Sequence, residues 1–149
     1  MKIAYILSMK RGLSSFTYRE IKQLIKNGLS IIIFPTKFKF GPYMPEVDWN
    51  FYMYNPFEVI LRQFLFFKKP QIYFKWLYYS IKTSSLLDFI IGFSLHFEML
   101  KRKIEHIHCE FGDHKFFIGF YCSKFLNIPL TVKIHAHELY TNPNIFLFK

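Results

Sequence analysis

The feature that most constrains this fold is a twice-repeated order of short apolar strand, loop, helix and second apolar strand. Residues 3–8 and 31–34 are apolar runs, separated by a stretch of helical period that ends at Asn27 and Gly28. Residues 105–109 and 130–134 repeat this order around a helix expected at 115–126. Apolar strands joined through helices are typical of a parallel sheet buried on both faces. The pattern therefore predicts an α/β protein with a Rossmann-like open parallel sheet and helices on both faces.

Local signals set the expected ends of these elements. Thr17, with Glu20 three residues later, has capping-box spacing and predicts the start of the first helix. Pro35 is expected to end the second strand. Residues 35–55 look irregular apart from a short strand near 50–54, and residues 57–68, 71–84 and 85–103 are expected to be helices.

In open parallel sheets, ligands bind in the crevice beyond the carboxyl ends of the strands. Three segments follow strand ends in this prediction: residues 9–15, 109–114 and 135–142. These segments are where a functional site is expected.

The first of these segments contains Gly12 but no known phosphate-binding fingerprint. Neither GxGxxG nor GxxxxGK[ST] occurs there. A small residue at this point would allow a ligand phosphate or sugar hydroxyl to approach the backbone and the helix start. A plain surface turn explains Gly12 equally simply, so both interpretations stay open.

The second segment belongs to the densest polar cluster of the chain. Strand alternation places His106, His108 and Glu110 on one face and Cys109 on the other. With His135 and His137 as distant ligands, a zinc site is conceivable. No second pair with compact metal-ligand spacing occurs, so we expect no metal site and favour polar side chains around a strand end.

The third segment brings His135, His137 and Glu138 directly after the last strand. An imidazole can donate or accept a hydrogen bond near neutral pH, and a carboxylate three residues away can orient it or bind sugar hydroxyls. Polar surface residues would give the same pattern.

Charge narrows the class of partner. The chain carries 20 Lys and Arg against 10 Asp and Glu, a net charge of +10, and residues 1–45 hold eight of these cations with Glu20 as their single acid. This balance favours anionic partners, with the first strand–helix–strand unit as the anion-facing surface. No helix-turn-helix, zinc-finger or RNP-type pattern occurs, so no nucleic-acid partner is expected.

The middle of the chain interleaves lysines with aromatic residues, for example Lys68 and Lys75 with Phe67 and Trp76. Such a mixture suits an anionic membrane surface, and it also suits helices that pack on the sheet with their lysines extended into water. The most apolar stretch, residues 84–97, is interrupted by Asp88 and is too short to span a bilayer. The two cysteines form no framework. We therefore expect a cytoplasmic protein, with peripheral attachment to the inner face of the cell membrane as a further expectation.

Two runs of the sequence resemble a known family. Residues 1–29, MKIAYILSMKRGLSSFTYREIKQLIKNGL, and residues 106–140, HIHCEFGDHKFFIGFYCSKFLNIPLTVKIHAHELY, resemble the N-terminal domain of bacterial family 4 glycosyltransferases of the GT-B fold, the type that builds exopolysaccharides and colanic-acid-like chains. The first run matches the family's strand, small-residue loop and helix start. The second matches its His-x-His strand end and its Thr-x-His-Ala-x-Asp-Ile-Tyr segment.

The resemblance implies roles for individual residues. His135 would contact the transferred sugar in the cleft between two domains and is the expected catalytic residue. Gly12 would line the cleft near the donor diphosphate, and Glu110, Phe111 and Gly112 would shape the acceptor side. His137 would bind substrate, and Glu138 would support the His135 loop.

The resemblance also implies the organisation of the protein. Residues 1–149 would be the N-terminal, acceptor-side domain of a retaining glycosyltransferase, with the C-terminal donor-binding domain absent from this chain. The complete enzyme would transfer a sugar from a nucleotide-diphosphate sugar, its donor substrate, to a polysaccharide or lipid-linked acceptor. We expect no cofactor in this chain. We expect no sugar transfer by this chain alone. The alternative is a non-catalytic Rossmann-like module that binds an anionic polymer or a membrane surface.

Overall fold

The structure is a computed structural model, and it describes residues 1–134. Five strands form its sheet: β1 (Lys2–Met9), β2 (Ser30–Phe38), β3 (Asn50–Phe51), β4 (His106–Glu110) and β5 (Leu130–Lys133). Their order is β3-β2-β1-β4-β5, and every neighbouring pair is parallel. The predicted α/β class and Rossmann-like parallel sheet are confirmed.

Helices cover both faces of this sheet, as predicted. They are α1 (Ser15–Lys26), α2 (Pro56–Gln63), a 3-10 helix (Phe64–Lys68), α3 (Pro70–Lys82), α4 (Leu86–Lys101) and α5 (His114–Leu126). Helix α1 buries Ile21 against Ile3 and Tyr5 on one face. On the other face, α4 and α5 bury Met99 and Ile118 against residues such as Ala4 and Ile6 of β1.

Helices α2 and α3 form an outer layer on α4. The Arg62 and Gln63 side chains of α2 donate hydrogen bonds to α4 carbonyls, Arg62 to Ser94 at 3.1 Å and Gln63 to Ile90 at 3.0 Å. From α3, the Tyr73 ring packs edge-on against Phe93 with 4.7 Å between ring centroids. Some of the aromatic residues of the middle of the chain, among them Tyr73, Phe89 and Phe93, thus build a second, helical core together with α5.

The predicted start of α1 is wrong by a few residues. Ser14 is the N-cap, because its hydroxyl accepts a hydrogen bond from the Thr17 N–H at 3.2 Å. The Glu20 carboxylate does not reach back to the helix start, since it accepts a hydrogen bond at 2.8 Å from the hydroxyl of Tyr5, which lies on β1 beneath α1. A tertiary contact therefore replaces the expected capping box.

The second strand does not end at Pro35 but continues to Phe38. Strand β3 pairs only with Ile32 and Ile33, so β2 is an edge strand from Pro35 onward. A residue without an N–H group is tolerated at such an edge.

The expected helix over residues 57–68 divides at Phe64, where the last turns tighten into the 3-10 helix. The helices expected at 71–84, 85–103 and 115–126 are confirmed within about two residues at each end. Within residues 1–134, no helix combines the length and apolar character needed to cross a membrane.

Candidate functional site

A cleft opens where the direction of the strand order reverses. The chain proceeds from β1 outward to β2 and β3, and then returns to the other side of β1 to form β4 and β5. The connections after β1 and β4 therefore diverge at the carboxyl edge, which is the usual place for a ligand crevice. A cleft of about 470 Å³ lies there, lined by Lys10 after β1 and by Phe111 and Asp113 after β4. Two of the three predicted segments, 9–15 and 109–114, thus meet at one edge.

The lining of the cleft mixes hydroxyl, charged and aromatic groups. Ser8 and Thr36 contribute hydroxyls, Lys37 and Lys115 contribute cations, and Tyr54 joins Phe111 as an aromatic wall. The Ser8 Oγ is buried and has no hydrogen-bond partner among residues 1–134. Proteins bind sugars through hydroxyl groups and aromatic ring faces, and they bind phosphates through lysines.

Four cations gather beside this cleft at the ends of β1 and β2. Lys10, Arg11, Lys37 and Lys39 line an open depression of about 590 Å³ that shares Lys10 and Lys37 with the cleft. No carboxylate in the described part of the chain forms an ion pair with any of the four. Their positive charge is therefore available to an anionic ligand.

The carboxyl edge also holds an aspartate–histidine pair. Asp88, in the first turn of α4, is only 6% exposed, and its two carboxylate oxygens lie 3.2 and 3.3 Å from the Nδ1 atom of His114. Burial raises the pKa of Asp88, and the neighbouring His114 opposes this rise. When Nδ1–H donates to Asp88, the Nε2 atom of the largely exposed His114 is left as an acceptor for a ligand hydroxyl.

The start of α5 shapes the other wall of the cleft. Asp113 caps the helix by accepting a hydrogen bond from the Lys115 N–H at 3.0 Å, and its carboxylate also pairs with the Lys115 ammonium. The Lys115 Nζ lies 5.0 Å from the centroid of the Phe111 ring. Phe111 has a φ angle of 79°, a conformation that is strained for an aromatic residue. This strained residue is the member of the predicted acceptor-side set that lines the cleft.

Glu110 and Gly112, the other two members of that set, are buried on either side of Phe111. Glu110 points to the α1 face of the sheet, where its carboxylate lies 3.4 Å from the Tyr5 hydroxyl and 3.8 Å from the Lys133 ammonium. Lys133 also donates to Glu20, which completes a network that we call the buried charge cluster: Tyr5, Glu20, Glu110 and Lys133.

The buried charge cluster changes the protonation of its members. Burial raises the pKa of Glu20, but hydrogen bonds from Lys133 and Tyr5 outweigh this and lower its pKa overall. Burial lowers the pKa of Lys133, and its bond to Glu20 reverses this into a net rise. Burial and the nearby carboxylates raise the pKa of Tyr5. The cluster is thus built to hold Lys133 as a cation between two carboxylates.

Gly12 takes part in a close backbone contact within the protein. Its φ angle is +69°, and a Cβ atom there would lie 2.4 Å from the Tyr43 carbonyl oxygen. Its N–H donates to the Lys39 carbonyl at 2.9 Å. The packing of residues 39–43 on this turn is therefore enough to require glycine.

The predicted face of β4 is confirmed. His106 Nε2 and His108 Nδ1 lie 2.9 and 2.8 Å from the same Thr131 hydroxyl, while Cys109 packs into the core on the other side of the sheet. Burial lowers the pKa of His108. Among residues 1–134, no three His, Cys, Asp or Glu side chains are grouped closely enough to hold a metal ion.

His135, His137 and Glu138 lie outside the described residues. Sequence reasoning also missed a partnership, that of Asp88 with His114. A signal was present, because Asp88 is the one charged residue in the apolar stretch 84–97. A carboxylate on an otherwise apolar helix that begins at the carboxyl edge indicates a polar partner there.

The described part of the chain is thus an α/β protein of Rossmann-like topology, with a cleft of mixed polar and apolar lining at the point where the strand order reverses. Comparisons of the chain with protein-family models, curated proteins and solved structures give no match.

Proposed function

We propose that this chain is the acceptor-side part of a retaining glycosyltransferase that uses a nucleotide-diphosphate sugar. The observation that carries the proposal is the cleft at the carboxyl edge, where sugar-binding groups adjoin four cations without carboxylate partners in residues 1–134. The resemblance of residues 1–29 and 106–140 to family 4 enzymes supports the same assignment. The acceptor would be a polysaccharide or a lipid-linked sugar, whose phosphate suits the cationic end.

The proposed roles follow from the chemistry of each group. Lys10 and Lys37 would bind phosphate oxygens at the boundary between the cleft and the cationic depression. His114, oriented by Asp88, would accept a hydrogen bond from an acceptor hydroxyl and hold its oxygen in place. The strained Phe111 would present its ring to a sugar face. On the basis of the resemblance, His135 would contact the transferred sugar.

A panel of hexose 1-phosphates tests this site, since each combines a sugar with a phosphate. We expect the full chain to bind at least one of them in an isothermal titration. The double variant Lys10→Ala/Lys37→Ala should weaken binding by about tenfold, because it removes two charge-assisted contacts. His114→Ala should weaken the binding of the hexose phosphate but not that of inorganic phosphate.

Lys101→Ala/Lys103→Ala is the matched control, because these two exposed lysines lie at the opposite end of α4. It should bind like the wild type. UDP should compete no better than pyrophosphate, since the proposal assigns recognition of the nucleotide to another domain. The proposal would be contradicted if the Lys10→Ala/Lys37→Ala variant bound the hexose 1-phosphate as tightly as the wild type does. It would also be contradicted if the wild type bound the free hexose as tightly as the hexose 1-phosphate.

We further propose peripheral attachment to an anionic membrane surface. The observation behind it is an exposed aromatic surface on α2, the 3-10 helix and α3, with the side chains Phe57, Ile60, Phe64, Phe67, Phe74 and Tyr78 between 54% and 66% exposed. Lys68, Lys69, Lys75 and Lys82 lie among them and are exposed. Apolar side chains that enter the lipid boundary, together with lysines attracted to anionic headgroups, give reversible binding.

Vesicle co-sedimentation measures this attachment. The chain should bind vesicles that contain phosphatidylglycerol more than pure phosphatidylcholine vesicles, and binding should fall as salt rises. Phe64→Ser/Phe67→Ser should lower binding about tenfold or more, since full burial of one Phe is worth about 1.5–3 kcal/mol. Phe40→Ser is the control, because Phe40 is 82% exposed outside this surface. If the Phe64→Ser/Phe67→Ser and Phe40→Ser variants co-sediment with vesicles to the same extent, the attachment does not use this surface.

A further inference from the structure

An apolar pocket lies on the outer side of α4, away from the cleft. Its volume is about 300 Å³, and its apolar walls come from the 3-10 helix, α4 and the last turn of α5: Leu65, Phe93, Phe97, Leu100, Phe125 and Leu126. From α4, the cleft is lined by Leu87, Asp88 and Ile91, whereas the pocket is lined by Phe93, His96, Phe97 and Leu100. No residue lines both. The pocket is therefore a separate site.

The inside of this pocket carries no charge at neutral pH. Its one ionisable group is His96, which is 8% exposed and packs 4.9 Å from the Phe125 ring. Burial lowers the pKa of His96 to about 4, and the nearby cations Lys69 and Arg62 add to the effect. The neutral imidazole donates from Nδ1 to the Phe93 carbonyl. The interior thus offers an almost wholly apolar environment.

Two lysines stand at the mouth of the pocket. Lys68 and Lys69 are exposed, and neither forms an ion pair with a carboxylate of residues 1–134. Arg62 differs, since it lies 3.0 Å from Glu58 and 3.9 Å from Glu98. An apolar interior with a cationic mouth is complementary to a molecule that has an apolar chain and an anionic end.

Size restricts the ligand further. Ligand pockets range from about 300 to 1,000 Å³, so this one lies at the small end and suits one short chain. The 3-10 helix supplies Leu65 and Lys68 to the pocket, and Lys69 follows it directly. The same helix carries Phe64 and Phe67 of the exposed aromatic surface. A chain leaving a membrane at that surface would reach the pocket mouth directly.

We propose that this pocket binds the apolar chain of a phosphate monoester that carries one short alkyl, acyl or prenyl chain, with its phosphate held by Lys68 and Lys69. This site goes beyond the sugar site and does not depend on it. The ligand class includes prenyl phosphates and straight-chain alkyl or acyl phosphates, which share an apolar chain and a dianionic end.

Isothermal titration of the full chain with farnesyl phosphate, kept below its micelle concentration, tests the proposal. We expect saturable binding with a Kd on the order of 10 µM. Farnesol, which lacks the charge, should bind at least tenfold more weakly. Inorganic phosphate in excess is expected to occupy the cleft and should not displace farnesyl phosphate from the pocket. Dodecyl phosphate in the same titration distinguishes a straight-chain source from a prenyl source, and tight binding of either supports the site.

Two variants separate the chain contact from the charge contact. Leu100→Trp should fill the mouth and weaken binding at least tenfold, since Leu100 is 62% exposed and tolerates a larger side chain without disturbing the core. Lys68→Glu/Lys69→Glu should weaken the binding of farnesyl phosphate until it equals the binding of farnesol. Leu61→Trp and Arg19→Glu/Lys26→Glu are the matched controls and should bind like the wild type, because Arg19 and Lys26 are exposed on α1, on the other face of the sheet. Thermal unfolding of each variant verifies that it is folded.

Wild-type affinity in both pocket variants would overturn the proposal, as would equal affinity for farnesol and farnesyl phosphate. Binding to vesicles without binding to either monomeric phosphate would overturn it too, and would leave membrane attachment standing. Failure of the hexose 1-phosphates at the cleft has no bearing on these titrations, so the two sites can fail separately.

Discussion

Gly119→Ala is expected to destabilise the protein by about 1–3 kcal/mol, the usual cost of overpacking a core. Gly119 lies in α5 where the helix crosses β4, and a Cβ atom there would lie 2.3 Å from the Cys109 Sγ, 3.2 Å from Leu130 Cδ1 and 3.3 Å from Ile107 Cγ2. In an exposed helix the same change would add about 1 kcal/mol of stability, because alanine is the better helix former. Whether Gly119→Ala lowers or raises the free energy of unfolding therefore reports whether α5 and β4 are packed this closely.

The control is a double-mutant cycle of Gly119→Ala and Cys109→Ala, in which the stability of each variant is measured by urea unfolding. Cys109 is fully buried, and its Sγ donates to the Lys115 carbonyl at 3.1 Å. Cys109→Ala alone should destabilise slightly, but it removes the sulfur that the new methyl group would meet. The double variant Cys109→Ala/Gly119→Ala should therefore be more stable than Gly119→Ala. A Gly119→Ala protein more stable than the wild type would show that the helix does not approach the strand so closely.

Lys133→Met is the second substitution that is expected to destabilise the protein strongly. It would leave the Glu110 carboxylate, whose side chain is 2% exposed, beside Glu20 with no cation between them. Breaking a buried ion pair costs about 3–5 kcal/mol, and the one-third exposure of Lys133 brings the expected loss to about 2–3 kcal/mol. Chemical denaturation at pH 7 measures this difference.

The pH dependence of that loss identifies its cause. In the wild type, the pKa of Glu20 lies below its ordinary 4.5, so its contribution is present above that pH and fades as the pH falls through the lowered value. The pKa of Lys133 lies above 10.5, so its contribution is present below that pH and fades as the pH rises through the raised value. The buried charge cluster therefore stabilises the fold most between about pH 5.5 and 9.5.

In the Lys133→Met variant, two adjacent carboxylates without a cation favour protonation of one of them. The difference between variant and wild type should therefore shrink from pH 7 toward pH 4. Lys22→Met is the matched control, because the Lys22–Glu46 pair is exposed and surface pairs contribute little. Its effect should be small at every pH. An equal loss at pH 7 and pH 4 for Lys133→Met would indicate lost packing of the lysine stem rather than lost charge.

Much of the secondary structure could be predicted because its signals are local. Strands β1 and β2 are buried on both faces, so their apolar runs stand out without knowledge of their neighbours. Asn27 and Gly28 end α1 where expected, since both belong to the turn itself. One error occurred where two local signals competed, since Ser14 and Thr17 are both capable caps and Ser14 caps the helix, while Glu20 is bonded to Tyr5.

The candidate site was predictable in its location but not in its membership. The carboxyl-edge rule placed residues 9–15 and 109–114 at the same edge of the sheet, and the cations of the first 45 residues marked one end. The Asp88–His114 pair was not predicted, because 26 residues separate the two side chains and the local sequence around each gives no indication of the other. The apolar pocket was not predicted for the same reason, since three separate elements supply its walls.

The sequence by itself determined the parallel α/β sheet, the faces of β4 on which His106, His108, Cys109 and Glu110 lie, and the positive charge of residues 1–45. These properties depend on periodicity and composition within short segments. Only the tertiary structure decided what each face meets: Glu110 meets Tyr5 and Lys133, Asp88 meets His114, and Gly119 meets Cys109. Alternation assigns a side chain to a face, but packing between distant segments determines which groups cover that face and which remain open to a ligand.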